Sequence, residues 1–329
     1  MDRRRAEQPH PIRTIYFGGG TPSLLPINEL ARIVDGLHRC FDLSQIEEVT
    51  IECNPEDLTN EYLSDLANLH FFNRISIGIQ SLDDRMLHLL GRRHTAAQAI
   101  DSVQTAHEKG FTNICVDFIY GLPILSGATA ALSIPHPLIE TITHVSAYAL
   151  TIEPGTALDI QVKKGLITLP DEDETVRQYL SLKAHLEKNG FRQYEISNYA
   201  RSGYNAKHNS RYWNRTPYLG LGAAAHSFDG QNRRWNPSDI KRYIDDPLTG
   251  YGTERISIAD SCNELIMTSL RTTDGLPLDH LPPRFLDRIL SSAKKFVDCG
   301  WLSTDGGRLI PTAEGLLHAD GMAASLFVD

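Results

Sequence analysis

The sequence predicts an α/β fold built on a parallel sheet, followed by a small C-terminal α+β domain. Five short runs rich in β-branched and aromatic residues recur through the first 150 positions, with helical stretches between them. Such alternation builds parallel sheets, because a strand rejoins its sheet in the same direction only through a crossover. After about residue 251 the order changes to helices followed by a short hairpin.

Taken in order, Thr14–Phe17 (TIYF) is the first strand and runs straight into Gly18-Gly19-Gly20. Ile27–Cys40 carries Leu30, Ile33, Val34 and Leu37 at helical spacing. Residues 48–52 (EVTIE) read as a strand and 59–69 as a helix, with Thr59 placed to cap it. Residues 74–79 (RISIGI) form the third strand, and Thr95 and Gln98 take capping-box spacing at the head of a helix over 95–107. Residues 113–119 (NICVDFI) and 144–150 (HVSAYAL) complete the series. All five runs read as nearly continuous apolar segments, the pattern of strands buried on both faces. Between the last two, Gly127, Pro135 and Pro137 interrupt the pattern over 125–139, so a short or partly irregular crossover is expected. Alternation alone leaves an open doubly wound sheet and a barrel both open.

From Glu153 the texture changes. Pro154-Gly155-Thr156 is a turn, 171–189 a long helix and 194–199 another strand. Residues 205–236, rich in Gly, Asn, Arg and aromatics, suit a functional loop region. Residues 264–270 and 285–299 read as helices, 300–302 and 308–310 as a two-stranded wing, and 312–327 as a last helix. The expected division is 1–200, a connecting region 201–250, and a winged-helix-like domain 251–329.

Composition excludes several classes. The net charge of -9, from 32 basic and 41 acidic residues, argues against a general nucleic-acid binder. Cys40, Cys53, Cys115, Cys262 and Cys299 form no CxxC pair and no secreted disulfide framework. No apolar run approaches the roughly 20 residues of a membrane span, and the start MDRRRAEQPHP has no signal-peptide core. A reduced, cytoplasmic, soluble protein is expected.

The strongest local motif is Tyr16-Phe17-Gly18-Gly19-Gly20-Thr21-Pro22. Glycines directly after a strand let the backbone approach a ligand closely. The motif is neither GxGxxG nor a P-loop, and a tight strand-to-helix turn is the alternative. Further along, Glu52, Gln80 and Thr151 end successive strand runs and Asp117 lies within one. Polar groups gathered at the C-terminal ends of parallel strands mark an active-site face. Arg92, twelve residues after Gln80, is placed to close over an anionic group.

Together these segments resemble the radical SAM proteins of the HemN/HemW group. The resemblance rests on YFGGGTP, IECNP (51–55), SIGIQS (76–81), LGRRH (90–94) and VDFIYGLP (116–123), in that order, and runs from about Arg13 to the C-terminus. It implies an incomplete (β/α)6 partial TIM barrel with S-adenosylmethionine (SAM) across its mouth. By motif position, Gly19, Gly20 and Thr21 would hold the methionyl end of SAM. Glu52, Gln80, Arg92, Asp117 and Thr151 would be its other contacts.

The segments TIEPGT (151–156), YEISNYA (194–200), HNSRYW (208–213), GLGAAAHS (220–227) and NELIMTSLR (263–271) resemble the haem-chaperone branch, HemW. That branch implies haem as cargo, respiratory haem proteins as acceptors, and contact with membranes only at their surface. His208 and His226 are its candidate haem contacts, through iron or propionate; for His208 the alternative is a hydrogen bond to a loop. The competing branch is an oxygen-independent coproporphyrinogen III dehydrogenase, against which HNSRYW weighs. A radical SAM enzyme on another substrate is a third reading.

The group's chemistry requires a [4Fe–4S] cluster held by a CxxxCxxC loop upstream of GGGTP. Only 13 residues precede Thr14, none of them Cys, and 1–5 (MDRRR) resemble the inside of the helix that follows that loop. The first barrel strand and cluster loop are therefore expected to be absent. A fragment of a longer protein is favoured over a naturally cluster-free form, because the SAM-contact positions are intact. On this reading the chain does not cleave SAM, and the 14–17 strand is left as a bare sheet edge.

Overall fold

Along each parallel strand successive side chains point to opposite faces, and here the two faces differ in chemistry. The computed structural model describes residues 1, 4, 7, 8, 10–123 and 133–329. Five parallel strands, β1 (Thr14–Phe17), β2 (Glu48–Cys53), β3 (Arg74–Gln80), β4 (Ile114–Tyr120) and β5 (His144–Ala149), stand side by side in sequence order. Residues such as Val49, Ile51, Ile75, Ile77, Val116, Phe118 and Val145 form one buried core with the surrounding helices. Alternation sends Thr14 and Tyr16, Glu48, Thr50 and Glu52, Arg74, Ser76 and Gly78, Cys115 and Asp117, and His144 and Ser146 to the other side. The strands are thus apolar on one face and polar on the other, not apolar throughout as the composition of the runs suggested. Helices shield the first face, while the second lines the concave side of the sheet.

The helices between these strands are α1 (Ile27–Cys40), α2 (Asn60–Asn68), α3 (Asp84–Leu89), α4 (Ala96–Glu108) and α5 (His136–Thr141). Thr59 caps α2 by accepting from the Tyr62 amide, and Thr95 and Gln98 close a full capping box on α4. The crossover before β5 does contain a short helix, α5, of six residues. Residues 124–132 lie outside the described part, as do 2, 3 and 5 of the MDRRR segment.

Two helices follow, α6 (Ala157–Lys163) and α7 (Glu172–Lys188). The strand expected over 194–199 is instead a pair, β6 (Arg192–Gln193) and β7 (Asn198–Ala200), paired antiparallel. Residues between them form a turn in which the Tyr194 amide donates to the Asn198 carbonyl at 3.1 Å. Strand β7 also runs antiparallel to β5, so the sheet ends β5-β7-β6 rather than with a sixth parallel strand.

Next come α8 (Lys207–Trp213), β8 (His226–Phe228), β9 (Asn232–Trp235), α9 (Ile240–Asp245) and β10 (Gly252–Arg255). Strands β8, β9 and β10 form a three-stranded antiparallel sheet. The C-terminal part contains α10 (Ile258–Ser269), β11 (Leu276–Pro277), α11 (Pro283–Asp298), β12 (Leu302–Asp305), β13 (Arg308–Pro311) and α12 (Ala319–Leu326). Its separate core joins Ile266, Leu276, Ile289, Leu309 and Met322.

Among the described strands β1 pairs only with β2 and stands at the edge of the sheet. Helix α8 lies against its polar side. The His208 ring stacks on Tyr16 with centroids 5.1 Å apart, and His208 Nδ1 is hydrogen-bonded to Thr14 Oγ1 at 3.0 Å. Glu48, buried at the start of β2, accepts from the backbone amides of Lys207 and His208 at 2.8 and 2.9 Å. A buried carboxylate in that position meets free N–H groups at the head of the helix.

Candidate functional site

Gly18 has no room for a side chain: a Cβ there would lie 2.5 Å from Tyr16 and 3.1 Å from Glu52. Gly19 and Gly20 have φ of +78° and +77°, with nothing within 4 Å of where a Cβ would point. Their backbone is therefore open to a ligand. Thr21 follows at the head of a short turn, and its side chain caps nothing. Glu52 fastens this loop to the sheet. Its Oε1 accepts from the Tyr16 hydroxyl at 2.6 Å and its Oε2 from the Gly19 amide at 3.2 Å. Burial, and then the nearby Glu52 charge, push the Tyr16 phenol well up from its usual range.

A second group forms at the end of β3. Gln80 has φ of +67°, a costly conformation for a residue with a side chain. A Cβ on Gly78 would fall 2.8 Å from Gln80 Nε2 and 3.4 Å from an Arg92 nitrogen. Arg92 donates to Asn54 Oδ1 at 2.7 Å and to the Gly78 carbonyl at 3.1 Å, while its buried Nε has no partner. On the neighbouring strands Glu52 is the register partner of Ser76, and the Ser76 hydroxyl reaches the Asp117 carboxylate at 3.5 Å. Burial, then the adjacent Cys115, hold the Asp117 carboxyl well above the ordinary carboxylate range.

The structure thus places Gly19, Glu52, Gln80 and Arg92 at the C-terminal ends of the parallel strands, with Asp117 midway along β4 beside Ser76. Thr151 lies exposed in the loop two residues beyond β5. The two histidines sit elsewhere. His208 is beside Thr14 and Glu48, at the opposite end of β1 and β2. Its second ring nitrogen pairs with the Tyr212 hydroxyl at 3.0 Å, and burial brings its pKa down to about 4. His226 is exposed on β8, with its ring stacked on Trp235 at 6.2 Å.

Sequence reasoning missed a deeper layer of the concave face. Cys115 Sγ lies 3.0 Å from His144 Nδ1, and His144 Nε2 lies 2.8 Å from the Tyr194 hydroxyl. Both Cys115 and His144 are fully buried, and burial, then the Arg74 charge, lower the His144 pKa. The signal was present in the alternation of Glu48-Thr50-Glu52, Arg74-Ser76 and Cys115-Asp117.

The donors at the strand ends suit SAM. The backbone at Gly19 and Gly20 leaves open space for a ligand, Arg92 supplies a cation with one buried N–H unpartnered, and Glu52 and Asp117 are acceptors for amino or hydroxyl groups. A [4Fe–4S] cluster is not matched in the same way. Among the described residues no three His, Cys, Asp or Glu side chains are placed to hold a metal, and the cysteines are scattered along the chain.

Residues 3–130 match the Radical SAM superfamily, and residues 256–318 match the HemN C-terminal domain. The protein called heme chaperone HemW in Mycobacterium tuberculosis is 34% identical over 321 residues, covering 96% of this chain and 80% of the relative. Its Bacillus subtilis counterpart is 32% identical over 326 residues, covering 96% and 81%. The chain belongs to the HemW family. A further relative is the bovine radical S-adenosyl methionine domain-containing protein 1, mitochondrial, 33% identical with coverage of 96% and 75%. The solved structure of Escherichia coli coproporphyrinogen III oxidase (HemN) superposes with a TM-score of 0.77 over 96% of this chain and 78% of its own. At 20% identity that likeness establishes the fold, a radical SAM partial barrel with a C-terminal domain, and not the activity.

Proposed function

We propose that this chain binds haem and passes it to haem-accepting proteins, with SAM held at the C-terminal ends of β1 to β4. The observation that carries the reading is 30–34% identity, over 96–97% of this chain, to proteins named heme chaperone HemW in Mycobacterium tuberculosis, Bacillus subtilis and Synechocystis. For SAM the support is the donor set. Gly19, Gly20 and Thr21 would take its methionyl end, Arg92 its carboxylate, and Glu52 and Asp117 its amino and hydroxyl donors, with Gln80 and Thr151 at the rim. Bound SAM would supply a sulfonium-linked adenosyl group; the residues of this chain would hold it and keep it in place.

Haem-accepting respiratory proteins are the proposed recipients, met in the cytoplasm or at a membrane surface. No helix among the described residues is long and apolar enough to cross a membrane. The test is titration of the full chain with ferric haem, followed by mixing with an apo-haem protein. The expected result is a saturating Soret shift with one haem per chain, then its decay as the acceptor's spectrum grows in. No saturable shift refutes the proposal. In parallel, calorimetry should detect SAM binding that Arg92→Ala weakens.

A further inference from the structure

Arg92 carries its charge without an anionic partner. It forms no ion pair among the described residues, whereas the adjacent Arg93 pairs with Glu56 and Asp57. Both of its hydrogen-bond partners are neutral oxygens, on the Asn54 side chain at 2.7 Å and the Gly78 carbonyl at 3.1 Å, and both accept from Nη2. The two N–H groups of that nitrogen are thereby used, and the planar guanidinium is fixed in direction. Building on the SAM reading above, we infer that Asn54 is a positioning residue. Its neutral side chain aims Arg92 and leaves the positive charge for a ligand carboxylate, which makes the site selective for SAM over ligands that lack that group.

Asn54 can set a direction because it is itself held. It directly follows β2 and precedes Pro55, which favours extended backbone, found here at φ -93° and ψ 145°. Its amide donates to Ser23 Oγ at 3.1 Å, and the Ser23 hydroxyl donates to Asp57 Oδ2 at 2.7 Å. The Asp57 amide returns to the Asn54 carbonyl at 3.1 Å, so the three residues close a ring. Ser23 is buried in the turn after the glycine loop, which ties the loops following β1 and β2 together. A Cβ on Gly78 would lie 3.4 Å from an Arg92 nitrogen and 3.8 Å from Asn54 Oδ1. The glycine therefore leaves the gap over β3 in which the two side chains meet.

The backbone around Arg92 is fastened by other residues. The buried His94 ring lies 3.0 Å from Glu56 through Nδ1 and 3.0 Å from the Ile79 carbonyl through Nε2. Arg93 reaches the same Glu56 at 3.1 Å. These bonds place the loop, and the direction of the Arg92 side chain is left to Asn54 and Gly78. Residue type matters as well as reach. An aspartate at position 54 would offer an acceptor in the same place, but it would neutralise Arg92 in an ion pair and compete with the ligand carboxylate.

The test titrates SAM and decarboxylated SAM, which keeps the adenosyl sulfonium and the amino group, into the full chain by calorimetry. Wild type, Asn54→Ala, Asn54→Asp, Arg92→Ala and the double variant Asn54→Ala/Arg92→Ala are compared. Both Asn54 variants are expected to bind SAM about tenfold more weakly and decarboxylated SAM as wild type does. In the Arg92→Ala background Asn54→Ala should have no further effect, because Asn54 acts through that side chain alone. Wild-type SAM affinity in either Asn54 variant, equal weakening toward both ligands, or additive losses in the double variant would each overturn the assignment. If wild type binds no SAM, or Arg92→Ala leaves its affinity unchanged, it is the SAM reading of the proposed function that has failed.

Discussion

Replacing Glu48 by Gln should cost the protein about 2–4 kcal/mol of stability. The side chain is 2% exposed and takes two backbone N–H groups, at 2.8 and 2.9 Å, from the first two residues of α8. Hydrogen bonds to an ionised acceptor each contribute about 1.5–3 kcal/mol net. A glutamine keeps one acceptor oxygen but turns an NH2 toward the other amide, and it removes the negative charge beside the buried Arg74 guanidinium. Losing about one charge-assisted bond and part of a counter-charge gives the range stated. Urea denaturation followed by tryptophan emission measures it, because Trp213 ends the helix that Glu48 holds. The adjacent Glu47 forms ion pairs with Arg13, Lys207 and Arg211 at the surface, and Glu47→Gln should have a much smaller effect. A Glu48→Gln shift below about 0.5 kcal/mol would refute the anchoring role.

Gly78→Ala places a Cβ 2.8 Å from Gln80 and 3.4 Å from Arg92, so the rim must move. Displacing the ends of both side chains should weaken SAM about tenfold by calorimetry, and unchanged affinity would count against both as SAM contacts. Folded His208 stays neutral down to about pH 4, whereas the unfolded chain takes up its proton near 6.5. Stability should therefore fall as pH drops from 6.5 towards 4. His208→Gln should flatten that slope in denaturation curves across the window, and an identical slope would contradict the assignment. Glu195 titrates in the opposite sense: burial raises its carboxyl from 4.5 to about 7, so its ionisation lowers stability as pH rises between those values. Glu195→Gln should be more stable than wild type at pH 8 and lose that advantage near pH 5, and a pH-independent difference would count against it.

Much of the fold was legible because its signals are local. The Thr59 cap and the Thr95–Gln98 capping box depend on residues three apart, and the structure contains both. The strand ends were readable for a related reason, since the positions of Glu52 and Gln80 in their runs follow from strand boundaries. The antiparallel β6–β7 pair was not readable as such. YEISNYA has strand composition throughout, and only the Tyr194–Asn198 backbone bond shows that the chain turns within it. Counting apolar residues hid the polar concave face; following every second residue from Glu48 or Arg74 would have exposed it. The partners of His208, at residues 14 and 48, lie about 160–190 positions away, beyond any local pattern.

That last separation has a consequence for how the protein is made. Strands β1 to β5 are complete once residue 149 has been synthesised, but the helix that covers Thr14, Tyr16 and Glu48 ends at residue 213. At about 5–20 residues per second the ribosome needs roughly 3–13 s to add the intervening stretch. Throughout that interval the emerging sheet carries a buried-type carboxylate without its two amide donors and a polar face without its cover. Any nascent-chain chaperone bound to this surface would have to release it before α8 could dock on Glu48.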